Sequence, residues 1–96
     1  MNKAQAYRLG VASGYEAGIY GDFTAQELGD ENAFVEAAAE ICDNKRQFGD
    51  SPTYDFARQP NSESLFDAFD KGEAVGIRRA WRERHKSGGG TGQRSD

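Results

Sequence analysis

The chain has little of what usually braces or activates a small protein. Its 96 residues hold one cysteine, one histidine, one tryptophan and two prolines. A lone cysteine, Cys42, excludes an internal disulfide and with it the secreted scaffolds held together by cystines. The lone histidine, His85, stands in an Arg-rich segment, where a solvated imidazole facing the end of a helix is expected rather than a general base. No run approaches 18 apolar residues, so no membrane-crossing helix is expected. Met1-Asn2-Lys3-Ala4-Gln5 leads into no apolar segment, so no signal peptide is expected either. Branched aliphatics are scarce: nine Leu, Ile and Val stand against six Phe, four Tyr and one Trp, which points to a core built on rings. Cations are missing from a long window. Between Leu9 and Asn44 there is no Lys or Arg, while Glu16, Asp22, Glu27, Asp30, Glu31, Glu36, Glu40 and Asp43 fall inside it.

What is present is a repeated stripe of small residues. Ala6-Gly10-Gly14-Gly18 is echoed by Ala68-Gly72-Gly76-Ala80, and the two segments align with a shift of 62 positions. Residues four apart stack along one face of a helix, so each stripe is a groove without side chains that another backbone can enter. A glycine inside a helix costs about 1 kcal/mol against alanine, so the repeated pattern implies a compensating gain in packing. The expected layout packs the first and last helices stripe to stripe; the alternative turns each stripe toward a second copy, giving a homodimer.

The fold class expected is all-α: a compact bundle of three main helices with one or two short ones, residues 1–86, followed by a flexible, disordered tail over 87–96 (SGGGTGQRSD). No segment alternates with period two, so no sheet is expected. The first helix should run from about Asn2 to Tyr20, with Tyr7, Val11, Gly14, Tyr15 and Gly18 on its inner face. Thr24 with Glu27 three residues on fits a capping box for a short helix through Leu28. Asp30 then caps a helix over about Glu31 to Phe48 whose apolar side holds Phe34, Val35, Ala38, Ile41, Cys42 and Phe48. Ser51 and Pro52 signal a restart, with Tyr54 to Gln59 read as a short helix, the alternative being an extended loop. The last helix spans about Ser62 to Lys86, with Leu65, Phe66, Phe69, Gly72, Gly76, Ile77, Ala80 and Trp81 inward.

Catalytic constellations are wanting. Cys42 on the apolar side of an acidic helix should have a raised pKa and act as a small core residue. Glu36 and Glu40 have the spacing of half a carboxylate metal site, but no Glu-x-x-His pair accompanies them. Gly14, Gly18 and Gly21 lack the spacing and the preceding strand of a dinucleotide fingerprint. The chain is therefore expected to be no enzyme and to need no cofactor or metal. Two charged surfaces remain. Glu27, Asp30, Glu31, Glu36, Glu40 and Asp43 form an acidic face, and carboxylates one helical turn apart sit about 6 Å apart along the axis, on the scale of the phosphate repeat of a nucleic-acid strand. Arg78, Arg79, Arg82 and Arg84, with Lys86, could instead grip phosphates, or could neutralise a helix end by pairing with the acidic half. The net charge of −4 works against direct nucleic-acid binding.

Gly14-Tyr15-Glu16-Ala17-Gly18, followed by Gly21, resembles the GYxAGxxG signature of ribosome modulation factor and of many small phage and prophage proteins. Asn44-Lys45-Arg46-Gln47-Phe48, with Phe66-Asp67-Ala68-Phe69-Asp70-Lys71-Gly72 and Gly76-Ile77, is similar to small phage accessory proteins that read N-x-R-Q-[YF] … G-[IV]-x-x-G-[IV]. Phe66 stands where those proteins often have Trp, and Gly49-Asp50 is inserted relative to their spacing. The resemblance implies a phage-encoded protein acting in the host bacterial cytoplasm. Ribosome modulation factor is strongly basic and this chain is acidic, so ribosome binding does not carry over. Together with the cation-free window, the resemblance leads to the expectation of a non-enzymatic inhibitor. It would bind a host protein or ribonucleoprotein complex through its acidic face, in the manner of an anti-CRISPR or a DNA mimic. The alternatives are a nucleic-acid- or ribosome-associated module using the basic helix end, and a self-associating virion accessory protein.

Overall fold

Glycine and alanine govern how the helices meet. The structure, a computed structural model, describes residues 1–47 and 56–89, with 86–89 as backbone only. Four helices are present among them: α1 (Lys3–Tyr20), α2 (Ala25–Gly29), α3 (Glu31–Gln47) and α4 (Ser62–Gly89), with no strand. The all-α expectation holds. Phe48, Ser51, Pro52 and Tyr54, which figured in the expected break and restart, lie outside the described residues. Phe56, within the expected short fourth helix, is helical, and residues 57–61 form a succession of turns joined by Gln59 N–H to Phe56 O and Ser62 N–H to Gln59 O.

Local signals set the boundaries. The side chains of Asn2 and Gln5 exchange hydrogen bonds with each other's backbone N–H at 2.9 Å, a capping box that starts α1. Thr24 and Glu27 do the same for α2, as their spacing indicated. Asp30 Oδ1 accepts from Asn32 N–H at the head of α3. The last helix runs through Gly89, three residues beyond the expected stop at Lys86.

α1 and α4 lie side by side and parallel, and their stripes mesh. A methyl group added at Gly10 would fall well under 3.0 Å from the carbonyl oxygen of Phe69, and one at Gly72 equally close to that of Tyr7. The same reciprocity joins Gly14 to Glu73 O and Gly76 to Val11 O. Each reciprocal contact is the other one shifted by the 62 residues that align the two sequence segments: Gly10 and Tyr7 become Gly72 and Phe69, Gly14 and Val11 become Gly76 and Glu73. The pair therefore has an approximate two-fold axis running along it. The close approach also brings glycine Cα–H groups beneath carbonyls of the facing helix, a weak but recurrent source of helix–helix attraction.

α3 runs antiparallel to both, in one of the two furrows between them. Phe34, near its start, packs against Ile77, while Arg46, near its end, reaches Asp70. The core is accordingly split. One cluster holds Phe34, Ala38 and Ile77 with Phe23, Leu28, Val35 and Trp81 against it; the other holds Ala6, Phe56, Leu65, Ala68 and Phe69. Rings dominate both, with Phe56 edge-on to Phe66 and Phe69 at 5.6 and 5.4 Å. The inner face of α1 differs from expectation by one residue. Ala6, Gly10, Gly14, Ala17 and Gly18 are buried, whereas Tyr7 is exposed and Val11 and Tyr15 are only half-buried. Close backbone contact requires the smallest residues at the centre, which pushes the larger ones to the flank.

Parallel helices align their dipoles, and α1 has no basic residue in its last turn. Arg84 of α4 supplies the missing cation. Its Nε donates to Gly18 O at 2.7 Å and its Nη2 to Ile19 O at 2.7 Å and Gly21 O at 3.1 Å, with the guanidinium over the ring of Phe23. Charged hydrogen bonds to backbone are the stronger kind, so Arg84→Ala should lower stability by about 2 kcal/mol and the melting temperature by roughly 10 °C. Thermal unfolding followed by circular dichroism checks this; a melt within 2 °C of the parent would show that the carbonyls are equally well served by water.

Candidate functional site

The acidic residues do not act as one set. Glu27 is spent on its capping box and Asp30 on the head of α3. Glu31 is half-buried in the first turn of α3. Asp43 sits 3.9 Å from Arg46, one turn along. Glu36 and Glu40 are exposed, unpaired among the described residues, and line an open groove between α2 and α3 with Thr24, Gln26, Glu27, Ala33 and Ala37. The groove measures about 530 Å³. The two cations of α3 are both committed elsewhere: Lys45 to Glu16 at 3.3 Å, Arg46 to Asp70 and Glu73 at 2.5 Å each. The outward side of α3 is thus a carboxylate surface with no cation of its own.

The basic residues are divided as well. Arg84 is absorbed by the end of α1, while Arg78, Arg79 and Arg82 are exposed and form no ion pair among the described residues. The expected pairing of this segment with the acidic half is therefore not what holds Arg84, whose partners are backbone carbonyls. His85 lies on the ring of Trp81 at 3.9 Å, with Nδ1 3.0 Å from Trp81 O. That arrangement holds it at the helix surface.

A third cluster was invisible in the sequence reading. Glu73 is only 8% exposed, in the middle of the furrow that holds α3. One oxygen receives Arg46, and the other accepts from Ser13 Oγ at 3.5 Å. Cys42, itself buried, lies near enough to feel the same carboxylate. Burial pushes the Glu73 carboxyl above its ordinary range, against the pull of the Arg46 guanidinium. Burial and then the neighbouring Glu73 charge push the Cys42 thiol up to about 12, so it is no nucleophile at neutral pH. The arrangement is a polar belt between two apolar clusters, sealed by α3. The signal for it was present: Glu73 falls between Phe69 and Ile77 in the apolar stripe of α4, and a carboxylate in such a place needs a cation. Among the described residues no three His, Cys, Asp or Glu side chains converge as a metal site would require, and no helix is long and apolar enough to cross a membrane.

No protein-family model, no curated protein and no solved structure matches the chain.

Proposed function

We propose that this chain is a non-enzymatic, phage-encoded protein that acts by binding a host nucleic-acid-handling or defence complex through the outward acidic side of α3. The observation that carries the reading is the pair Glu36 and Glu40, exposed, unpaired and aligned along the groove beside α2, while the cations of α3 are turned away and neutralised. Carboxylates held on a rigid helix at about 6 Å spacing present a cationic groove with charges spaced much as phosphates are. Glu36→Arg with Glu40→Arg should leave the melt within about 0.5 kcal/mol, since both side chains are exposed. The same double variant should abolish capture of a bacterial target that the parent protein retains in a pull-down. Retention of the target by the variant would reject the acidic-side mechanism.

Direct nucleic-acid binding through Arg78, Arg79, Arg82 and Arg84 is the competing reading. Arg84 is withdrawn from it by α1, and three exposed arginines on an acidic protein make a weak phosphate clamp. Both small-residue stripes are consumed within one chain, which favours a monomer over a stripe-mediated homodimer.

A further inference from the structure

The approximate two-fold axis of the α1–α4 pair makes two equivalent furrows, and α3 fills one. Its floor consists of Phe69, Glu73 and Ile77 from α4 with Ser13 and Ala17 from α1: Arg46 lies over the Phe69 ring and bonds Glu73, Phe34 and Ala38 pack on Ile77, Ser13 bonds Glu73, and Ala17 lines the gap beside Ile41. Subtracting or adding the 62-residue offset gives the floor of the opposite furrow: Tyr7, Val11 and Tyr15 from α1, with Val75 and Arg79 from α4. Four of these five are apolar, yet Tyr7 and Val75 are each 38% exposed and Val11 and Tyr15 are half-buried. Tyr7 and Val75 are two of the four exposed large hydrophobic residues the structure describes, and the offset assigns both to this furrow. Glu73 is the only charged group in the floor under α3; its counterpart here is Val11.

Charge distinguishes the open furrow further. Arg8 borders it on α1, and Lys71, Arg78, Arg79 and Arg82 border it on α4, all exposed. The carboxylates near this bank are Asp67, already paired with Lys71 at 3.1 Å, and Glu83 at the far end. The apolar floor and the cationic rim are the complement of an amphipathic helix with acidic flanks.

We infer that the furrow between α1 and α4 opposite α3 is a second binding surface, one that takes an acidic amphipathic helix of a partner protein. The bound helix lies as α3 does in its own furrow, with an apolar ridge at i, i+4 and i+8 like Phe34, Ala38 and Cys42. This surface is on the other side of the molecule from Glu36 and Glu40 and does not depend on them.

The internal equivalence supplies the probe. A fluorescein-labelled peptide of residues 31–47 carrying Arg46→Leu has four carboxylates and one lysine. It keeps the ridge and replaces the one side chain whose ion partner becomes Val11. Fluorescence anisotropy with the full chain should show saturable binding at low salt. Val75→Asp, and separately Arg78→Glu with Arg82→Glu, should each weaken it tenfold or more while leaving the thermal melt unchanged. Equal affinity of both variants would overturn the inference, because the peptide would then be exchanging into the furrow of α3 or binding elsewhere. Absence of saturable binding by the parent overturns it too. Retardation of a single-stranded oligonucleotide that is lost with Arg78→Glu/Arg82→Glu, in the absence of peptide binding, would assign the furrow to nucleic acid. A concentration-dependent dimer abolished by Val75→Asp would assign it to a second copy of the chain.

Discussion

Gly76→Leu is expected to abolish cooperative folding. A side chain at this position would begin well under 3.0 Å from Val11 O, with Tyr15 N also inside 3.0 Å, and these are backbone atoms that no rotamer change can move. The helices would have to part along their whole contact. Losing that interface removes more than the 5 kcal/mol that marks an exceptional substitution, and it is comparable with the total stability of a domain this size. Gly14→Leu should behave identically through Glu73 O, since the two sites are related by the internal two-fold. Even alanine should destabilise at these positions, despite a helix-propensity gain of about 1 kcal/mol. Gly29 provides the control. Nothing lies within 4 Å of a methyl placed there, so Gly29→Ala should leave stability unchanged or raise it by up to about 1 kcal/mol. Urea titration of these variants reads all of this directly, and a Gly76→Leu protein with the midpoint of the parent would mean that the helices are not in contact.

Arg46→Met should cost about 3 kcal/mol at pH 7, as expected when one partner of a buried pair is removed and the other is stranded. Glu73 keeps its burial while losing the nearest cation, and Asp70 and Asp43 remain beside it as like charges. The dependence on pH follows from the direction of the shift. A carboxyl whose folded pKa is raised favours the native state while protonated and disfavours it once ionised. Its contribution is therefore fully present below the unfolded carboxyl pKa and is lost as pH rises through the folded value. Removing Arg46 raises that folded value further. The deficit of Arg46→Met should then shrink as pH is lowered toward about 4.5, near the ordinary glutamate value. Adding Glu73→Gln should recover most of the loss at pH 7, because a neutral amide in the same space needs no counter-ion. Equal deficits at pH 7 and pH 4.5, or no rescue by glutamine, would show that Arg46 acts only through packing on Phe69.

The sequence carried the fold well where a local rule had one solution. The Thr24–Glu27 capping box and Asp30 at the head of α3 are fixed by neighbours within a turn, the burial of Cys42 follows from the apolar period of its helix, and each is found as read. The glycine stripes were legible because few other uses explain four small residues at helical spacing twice over. Their register was legible too, since the offset that aligns the segments is the offset at which the helices meet. What escaped is tertiary. Arg84 had the look of one more cation in a basic run, and nothing local says that it crosses to the carbonyls of α1 some 65 residues earlier. Arg46 had a sufficient local reason as a cation in the last turn of α3, which hid its role as the counter-ion of Glu73. The inner face of α1 was placed on its largest residues, the usual rule for a helix packed through side chains. Here the backbones themselves touch, so Tyr7, Val11 and Tyr15 stand to one side and line an open furrow. The acidic set was read by charge alone, whereas capping and ion pairing leave only Glu36 and Glu40 both exposed and uncommitted.

The most direct measurement is a pair of isotope-edited NOE spectra, one on uniformly labelled protein and one on a mixture of labelled and unlabelled chains. Cross-peaks between the Hα protons of Gly10 and Gly72, and between Gly76 and Val11, should appear in the first and be missing from the filtered spectrum of the second. That result places the two stripes backbone to backbone within a single molecule, at the 62-residue register. Their absence from the first spectrum, or their survival across differently labelled chains, would contradict the packing on which both proposed surfaces rest.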